Sequence, residues 1–122
     1  MHITATELRS LSQNILAAHG FSKEHQLSIT ETLVTAQIDQ CHSHGVWRLL
    51  GIIDTLKHGK IDATASPVVT HEQGAIIKID AKLGAATTAL ALGLPKLIEK
   101  AKQSGIALLA INHCVHFSAL WV

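Results

Sequence analysis

Pro67-Val68-Val69-Thr70-His71-Glu72-Gln73-Gly74-Ala75-Ile76-Ile77-Lys78-Ile79-Asp80 is where the chain changes its period. β-Branched residues crowd positions 68–70 and 76–79, and Glu72-Gln73-Gly74 supplies a turn, so strands at 67–71 and 75–80 read as a hairpin. On either side the apolar residues recur every three or four positions, the helical period. The fold class is therefore α/β (α+β): a helical N-terminal part, a short β-hairpin, a long kinked helix and a buried strand.

Downstream of the hairpin, residues 85–104 read as a helix with Leu90, Leu94, Ile98 and Ala101 on one side. Gly93 and Pro95 should kink or split it, and Gly105 should end it. Ile106–Ile111 then reads as a short strand buried on both faces. Upstream, Thr4-Ala5-Thr6-Glu7 is a capping box, flanked by Ile3 and Leu8 as a hydrophobic staple. Leu8, Leu11, Ile15 and Ala18 form a stripe, and Gly20 closes that helix. Ser22 caps a second helix carrying Leu27, Leu33, Val34 and Ile38 and ending near Asp39. A third is expected from about Gly45, with Val46, Leu49, Leu50, Ile53 and Leu56 recurring at helical spacing and Gly59 as its stop. No repeat or linker divides the chain, so 1–122 reads as a single portion, helical over 1–60 and carrying hairpin, helix and strand over 61–122.

Composition excludes several function classes. Apolar residues make up 48% of the chain and charged ones 16%, which argues against disorder. Ten basic and nine acidic residues lie scattered, so no basic face for nucleic acid or an anionic membrane emerges. Aromatics at 3% leave little for stacking on bases. No apolar run reaches the ~20 residues needed to cross a bilayer, and no secretory signal is visible at the N-terminus, so the expected location is the cytoplasm. Cys41 and Cys114 are expected to be reduced thiols. The chain stops on an apolar run, which is expected of a fragment cut inside a larger fold.

The chemistry concentrates in Ser43-His44-Gly45-Val46-Trp47-Arg48. A serine beside a histidine can orient and move a proton, and an arginine is a clamp for a carboxylate or phosphate. On a helix His44 and Arg48 would share a face, and a position at the start of the third helix would offer free amides to an anion. Structural readings stand beside these: Ser43 as an N-cap, His44 as a capping histidine, Arg48 ion-paired with Asp54 or Asp39. Histidines and cysteines also cluster at Cys41-His42-Ser43-His44 and His113-Cys114-Val115-His116. The second cluster follows the apolar strand, at the carboxyl end where α/β sheets place ligands. A small metal-binding or interaction module is the alternative these clusters raise, although no CxxC or HExxH accompanies them. His2, His19, His25, His58 and His71 receive no role.

Ser43-His44-Gly45-Val46-Trp47-Arg48-Leu49, then Leu56-x-x-Gly59 and Pro67, resembles the start of the malate/L-lactate dehydrogenase family, a group distinct from the Rossmann lactate dehydrogenases. Asn112-His113-Cys114-Val115-His116-Phe117-Ser118-Ala119-Leu120-Trp121 is similar to that family's Asn-x-x-His-Phe segment, with one extra residue before His116-Phe117. The variant resembles the branch that reduces Δ1-piperideine-2-carboxylate and Δ1-pyrroline-2-carboxylate. The likeness runs through all 122 residues and about the first third of a typical member, leaving the cofactor lobe absent.

What the resemblance implies is specific. Ser43 and His44 would be catalytic, as charge-relay partner and proton donor, and Arg48 would bind the substrate carboxylate. His116, Phe117, Ser118, Ala119 and Leu120 would line a site for NADPH, with NADH as the alternative, and no metal is implied. The implied activity is NADPH-dependent reduction of cyclic imino acids to L-pipecolate and L-proline. A malate, L-lactate or ureidoglycolate type of 2-hydroxy acid dehydrogenase, acting on a 2-oxo acid, is the alternative. The expected assembly is a homodimer, binding a small molecule and neither nucleic acid nor membrane, and the fragment alone is expected to be inactive.

Overall fold

The capping box forms as the spacing requires: the Glu7 amide donates to Thr4 Oγ1 at 3.2 Å, and the Thr4 amide donates to Glu7 Oε2 at 2.8 Å. It opens α1 (Ala5–Ala18) in a computed structural model that describes residues 2–115. Gly20, at φ +80°, ends the helix; its amide reaches the Ala17 carbonyl and that of Phe21 reaches Leu16, a Schellman ending. The buried face is rotated from the expected stripe. Ser12 and Leu16 are fully buried, whereas Leu11 and Ala18 are exposed.

Ser22 caps α2 (Lys23–Ile38), which packs on α1 and on the later α4. Ile29, Leu33 and Val34 are fully buried. Leu27 and Ile38, on the same helix, face outward. Its inner face is completed by His25 and Thr30, polar residues that an apolar pattern cannot reveal. α3 (Arg48–Lys57) begins three residues later than expected and buries Leu49, Ile52 and Ile53, leaving Leu50 exposed. Gly59, at φ +65°, stops it. Leu16, Phe21, Ile29, Leu33, Leu49, Ile52 and Ile53 form one apolar core, extended by Ile61, Ala63 and Ala85. Burying a leucine or isoleucine of this kind contributes roughly 1.5–3 kcal/mol before entropy is counted.

The hairpin is present as β1 (Val68–Gln73) and β2 (Ile76–Asp80), antiparallel, with Gly74 at φ +54° in its turn. α4 (Ala86–Ser104) then returns the chain to β3 (Leu108–Asn112), which pairs parallel to β2 from Ile76↔Leu108 to Asp80↔Asn112. Strand order is β1-β2-β3. β2 is thus the central strand, with Ile77 and Ile79 fully buried, and β3 is an edge strand with Leu108 exposed. The expectation that Ile106–Ile111 is buried on both faces is corrected: a parallel crossover placed it beside β2, but no further strand among the described residues covers its other side.

α4 runs as one helix through Gly93 and Pro95 rather than splitting. Gly93 has a packing role. A Cβ there would come within 2.7 Å of Leu109 and 2.8 Å of Ile79, so the bare backbone lets the helix approach the sheet. The face α4 buries is Ala89 and Gly93, with Leu97 packed beside them, whereas Leu94 and Ile98 of the expected stripe are exposed. Ile77, Ile79, Ala81 and Ala89 form this second core.

Candidate active site

α2 ends in the same geometry as α1, but with Gln40 at φ +58° where α1 has glycine. The Gln40 amide donates to Gln37 O at 3.2 Å and the Cys41 amide to Ala36 O at 2.8 Å. A left-handed non-glycine residue costs roughly 1–2 kcal/mol. The reversal it creates leads Cys41 into a short 3-10 turn over His42–His44, where the His44 amide reaches Cys41 O and the Gly45 amide reaches His42 O.

This turn brings together the three residues singled out from the sequence. Ser43 Oγ lies 3.0 Å from His44 Nδ1, and Cys41 Sγ lies 3.7 Å from the same nitrogen. Arg48 Nε donates to the Ser43 carbonyl at 2.8 Å, and the guanidinium carbon sits 5.6 Å from the Trp47 ring centroid. An imidazole held at Nδ1 presents its other nitrogen on the opposite edge of the ring, and an arginine fixed at Nε presents its two Nη groups as a fork.

The route to this arrangement differs from the expected one. His44 and Arg48 do not share a helix; they are joined through the backbone of Ser43. The helix does not offer open amides at its start either. Those of Arg48, Leu49 and Leu50 already donate to the carbonyls of Gly45, Val46 and Trp47, so any anion here must be met by side chains. Ser43 is not the N-cap of α3, which is Trp47. Asp54, offered as an ion-pair partner for Arg48, lies 3.6 Å from His58 instead.

The second cluster sits at the carboxyl ends of the parallel strands. His113 Nδ1 lies 3.2 Å from Asp80 Oδ1 at the end of β2. The Lys82 amide donating to Asp80 at 2.8 Å, with Lys82 and His113 side chains beyond it, holds that carboxyl below its usual range. Residues 81–86 bind the end of β3 and the segment after it through four backbone hydrogen bonds: Ala81 N to Asn112 O, Leu83 N to His113 O, Val115 N to Gly84 O and Ala86 N to Val115 O. His116, Phe117, Ser118, Ala119 and Leu120, the residues assigned to the nicotinamide cofactor, lie outside the described residues.

Cys41 and Cys114 are both free thiols. Among the described residues no three of His, Cys, Asp and Glu gather as a metal ion would need, so the Cys/His-module alternative gains no support from them. Nor is any helix among them long and apolar enough to cross a membrane. An open groove of about 580 Å³ between α2 and α4 is lined by Leu27, Ser28, Pro67, Thr88, Ala91 and Leu92 among others. Its walls are mainly apolar, and Ser43, His44 and Arg48 do not line it.

Sequence reasoning missed two residues. Gln37 reaches the 42–46 turn with its side-chain amide, and His25, assigned no role, is fully buried between α2 and the start of α4. Both act across irregular backbone, which apolar periodicity does not encode.

Comparison with known proteins places this geometry in a family. Residues 3–122 match malate/L-lactate dehydrogenase. The chain is 48% identical over 122 residues to a Δ1-pyrroline-2-carboxylate/Δ1-piperideine-2-carboxylate reductase of Pseudomonas aeruginosa, covering all of this chain and 36% of that protein. A crystal structure of Δ1-piperideine-2-carboxylate reductase from Pseudomonas syringae superposes with a TM-score of 0.95 at 38% identity, over 99% of this chain and 36% of the other. Malate dehydrogenase from Entamoeba histolytica shares the fold at a TM-score of 0.87 and 24% identity, over 97% and 33%. The chain thus spans about a third of the length of the relatives it matches.

Proposed function

The chain belongs to the malate/L-lactate dehydrogenase family, and from that we propose that it is the N-terminal portion of an NADPH-dependent reductase of cyclic imino acids. Such an enzyme would convert Δ1-piperideine-2-carboxylate to L-pipecolate and Δ1-pyrroline-2-carboxylate to L-proline. The observation that supports this most is high identity to cyclic-imine reductases across the whole chain. The Ser43–His44–Arg48 cluster gives it a chemical basis. In this reading residues 1–60 contribute the proton-handling turn and residues 61–122 the sheet and the cofactor-facing segment of a cytoplasmic homodimer.

A cyclic imine with a neighbouring carboxylate must gain a proton on nitrogen before its carbon accepts hydride. His44 donates that proton from Nε2, while Ser43 Oγ orients the ring at Nδ1. Arg48 receives the substrate carboxylate on its Nη groups, with Nε kept on the Ser43 carbonyl, so substrate anchor and proton donor share one rigid turn. When bound, reduced nicotinamide would supply hydride to the imine carbon to give a secondary amine, and His116, Phe117, Ser118, Ala119 and Leu120 are the residues that would hold it.

The test is a parallel assay of the full-length protein with Δ1-pyrroline-2-carboxylate, Δ1-piperideine-2-carboxylate, pyruvate and oxaloacetate, each with NADPH and NADH. The expected result is the highest kcat/KM on a cyclic imine with NADPH. Turnover confined to the 2-oxo acids would transfer the chain to the hydroxy-acid dehydrogenase branch.

A further inference from the structure

Gln37, in the last turn of α2, extends its side-chain amide to the turn that carries Ser43 and His44. Its Oε1 accepts from the Val46 amide at 3.4 Å, and its Nε2 lies 2.8 Å from His42 Nδ1. Gly45 is buried against the same group: a Cβ there would fall on Gln37 Oε1 and lie 3.2 Å from Cδ.

Chemistry fixes the orientation of this amide. A backbone N–H can only donate, so Val46 needs the oxygen of Gln37. That leaves Nε2, itself only a donor, facing His42. The facing Nδ1 must then offer a lone pair, and a neutral His42 carries its proton on Nε2. The two anchor points, His42 and Val46, bracket Ser43, His44 and Gly45.

We propose that Gln37 is a positioning residue for the acid–base pair: its one amide sets the His42 tautomer and clamps the 42–46 turn from both ends. The clamp keeps His44 Nδ1 within reach of Ser43 Oγ, and keeps the Ser43 carbonyl where Arg48 Nε binds it. This inference rests on the reading of Ser43 and His44 as the proton-transfer pair.

The experiment uses the full-length protein with 15N-labelled histidine, as wild type, Gln37→Glu and Gln37→Leu. Wild-type His42 is expected as the Nε2–H tautomer. In Gln37→Glu, which keeps an acceptor for Val46 but turns an acceptor toward His42, Nδ1 becomes protonated; a residue that only filled space would leave the ring unchanged. Gln37→Leu removes both hydrogen bonds, and kcat on the cyclic imine is expected to fall by about fivefold, as for loss of the Ser43 hydroxyl, while KM rises severalfold as Arg48 loses its seat on the Ser43 carbonyl. An Nδ1–H tautomer in the wild type would overturn the proposal whether or not the variants fold. A folded Gln37→Leu protein with wild-type kcat would overturn it as well. A wild type that reduces no cyclic imine would instead sink the functional reading, and the tautomer measurement would still decide the clamp.

Discussion

The backbone amide of Ala85 donates to Nε2 of His25 at 3.2 Å, joining the second helix to the start of the fourth across sixty positions of sequence. An accepting Nε2 puts the ring proton on Nδ1, which lies 2.9 Å from Ser22 Oγ. Gly84 allows the approach, since a Cβ there would lie 2.8 Å from the ring nitrogen. A protonated His25 would turn an N–H toward the Ala85 N–H, losing the acceptor that this amide uses.

Stability should therefore fall with pH through a histidine step. Burial lowers the pKa of His25 below 6.5, against the opposing fields of Asp62 and Glu24. The unfolded chain takes up this proton first, so the stabilising contribution is complete above pH 6.5 and is lost between 6.5 and the lower folded value. Denaturant unfolding at pH 7.5, 6.5 and 5.5 should show the decline, and His25→Gln should be less stable at pH 7.5 but flatter across the series. Equal slopes would disprove the assignment. Glu7, Glu31, Asp62, Glu72 and Asp80, all lowered by hydrogen bonds, add a separate loss in more acidic solution.

Arg48→Ala in the full-length enzyme should raise KM for a carboxylate substrate by roughly ten- to a hundredfold, the worth of a charged hydrogen bond. Arg48→Lys should recover little, because a single ammonium cannot hold the Ser43 carbonyl and a carboxylate together. Steady-state kinetics check this; an unchanged KM in Arg48→Ala removes the residue from the substrate.

His44→Ala should lower kcat by about 10²- to 10⁴-fold with a small change in KM. Ser43→Ala removes one orienting hydrogen bond, worth about 1 kcal/mol, and should cost roughly fivefold. Equal losses for the two variants would show that the serine does more than orient the ring.

Thr30→Val should stabilise the protein by about 1 kcal/mol. The Thr30 hydroxyl is buried with no hydrogen-bonding side chain or carbonyl among the described residues, as is that of Ser12. Thermal unfolding measures the change, and a lowered Tm would mean that the hydroxyl has a partner after all.

Much of the architecture was legible because local chemistry dictates it. Thr4 and Glu7 are spaced for a capping box, Gly20 and Gly59 supply left-handed endings, and alternating isoleucines mark β2. The failures share a cause: helices present a face about 100° wide, and a stripe drawn one residue off points at solvent. Leu11, Leu50 and Leu94 were misplaced in this way, while Ser12, His25 and Thr30, buried but polar, carried no apolar signal. Ser43, His44 and Arg48 were readable as residue types, yet the spacing of His44 and Arg48 suggested a shared helix face. The 3-10 turn that unites them follows from the left-handed Gln40, which nothing in its side chain announces. Gln37 was invisible for the same reason.

A missing side chain also works as a registration mark. Where α4 crosses the sheet, Gly93 is seated against Ile79 and Leu109 with room for a hydrogen and little more. Sliding the helix one turn either way would bring Ala89 or Leu97 into that notch, and neither fits. The lock sets where the helix begins, and hence how far Ala85 stands from His25: an empty position in the sheet-facing layer measures out a polar contact two turns away.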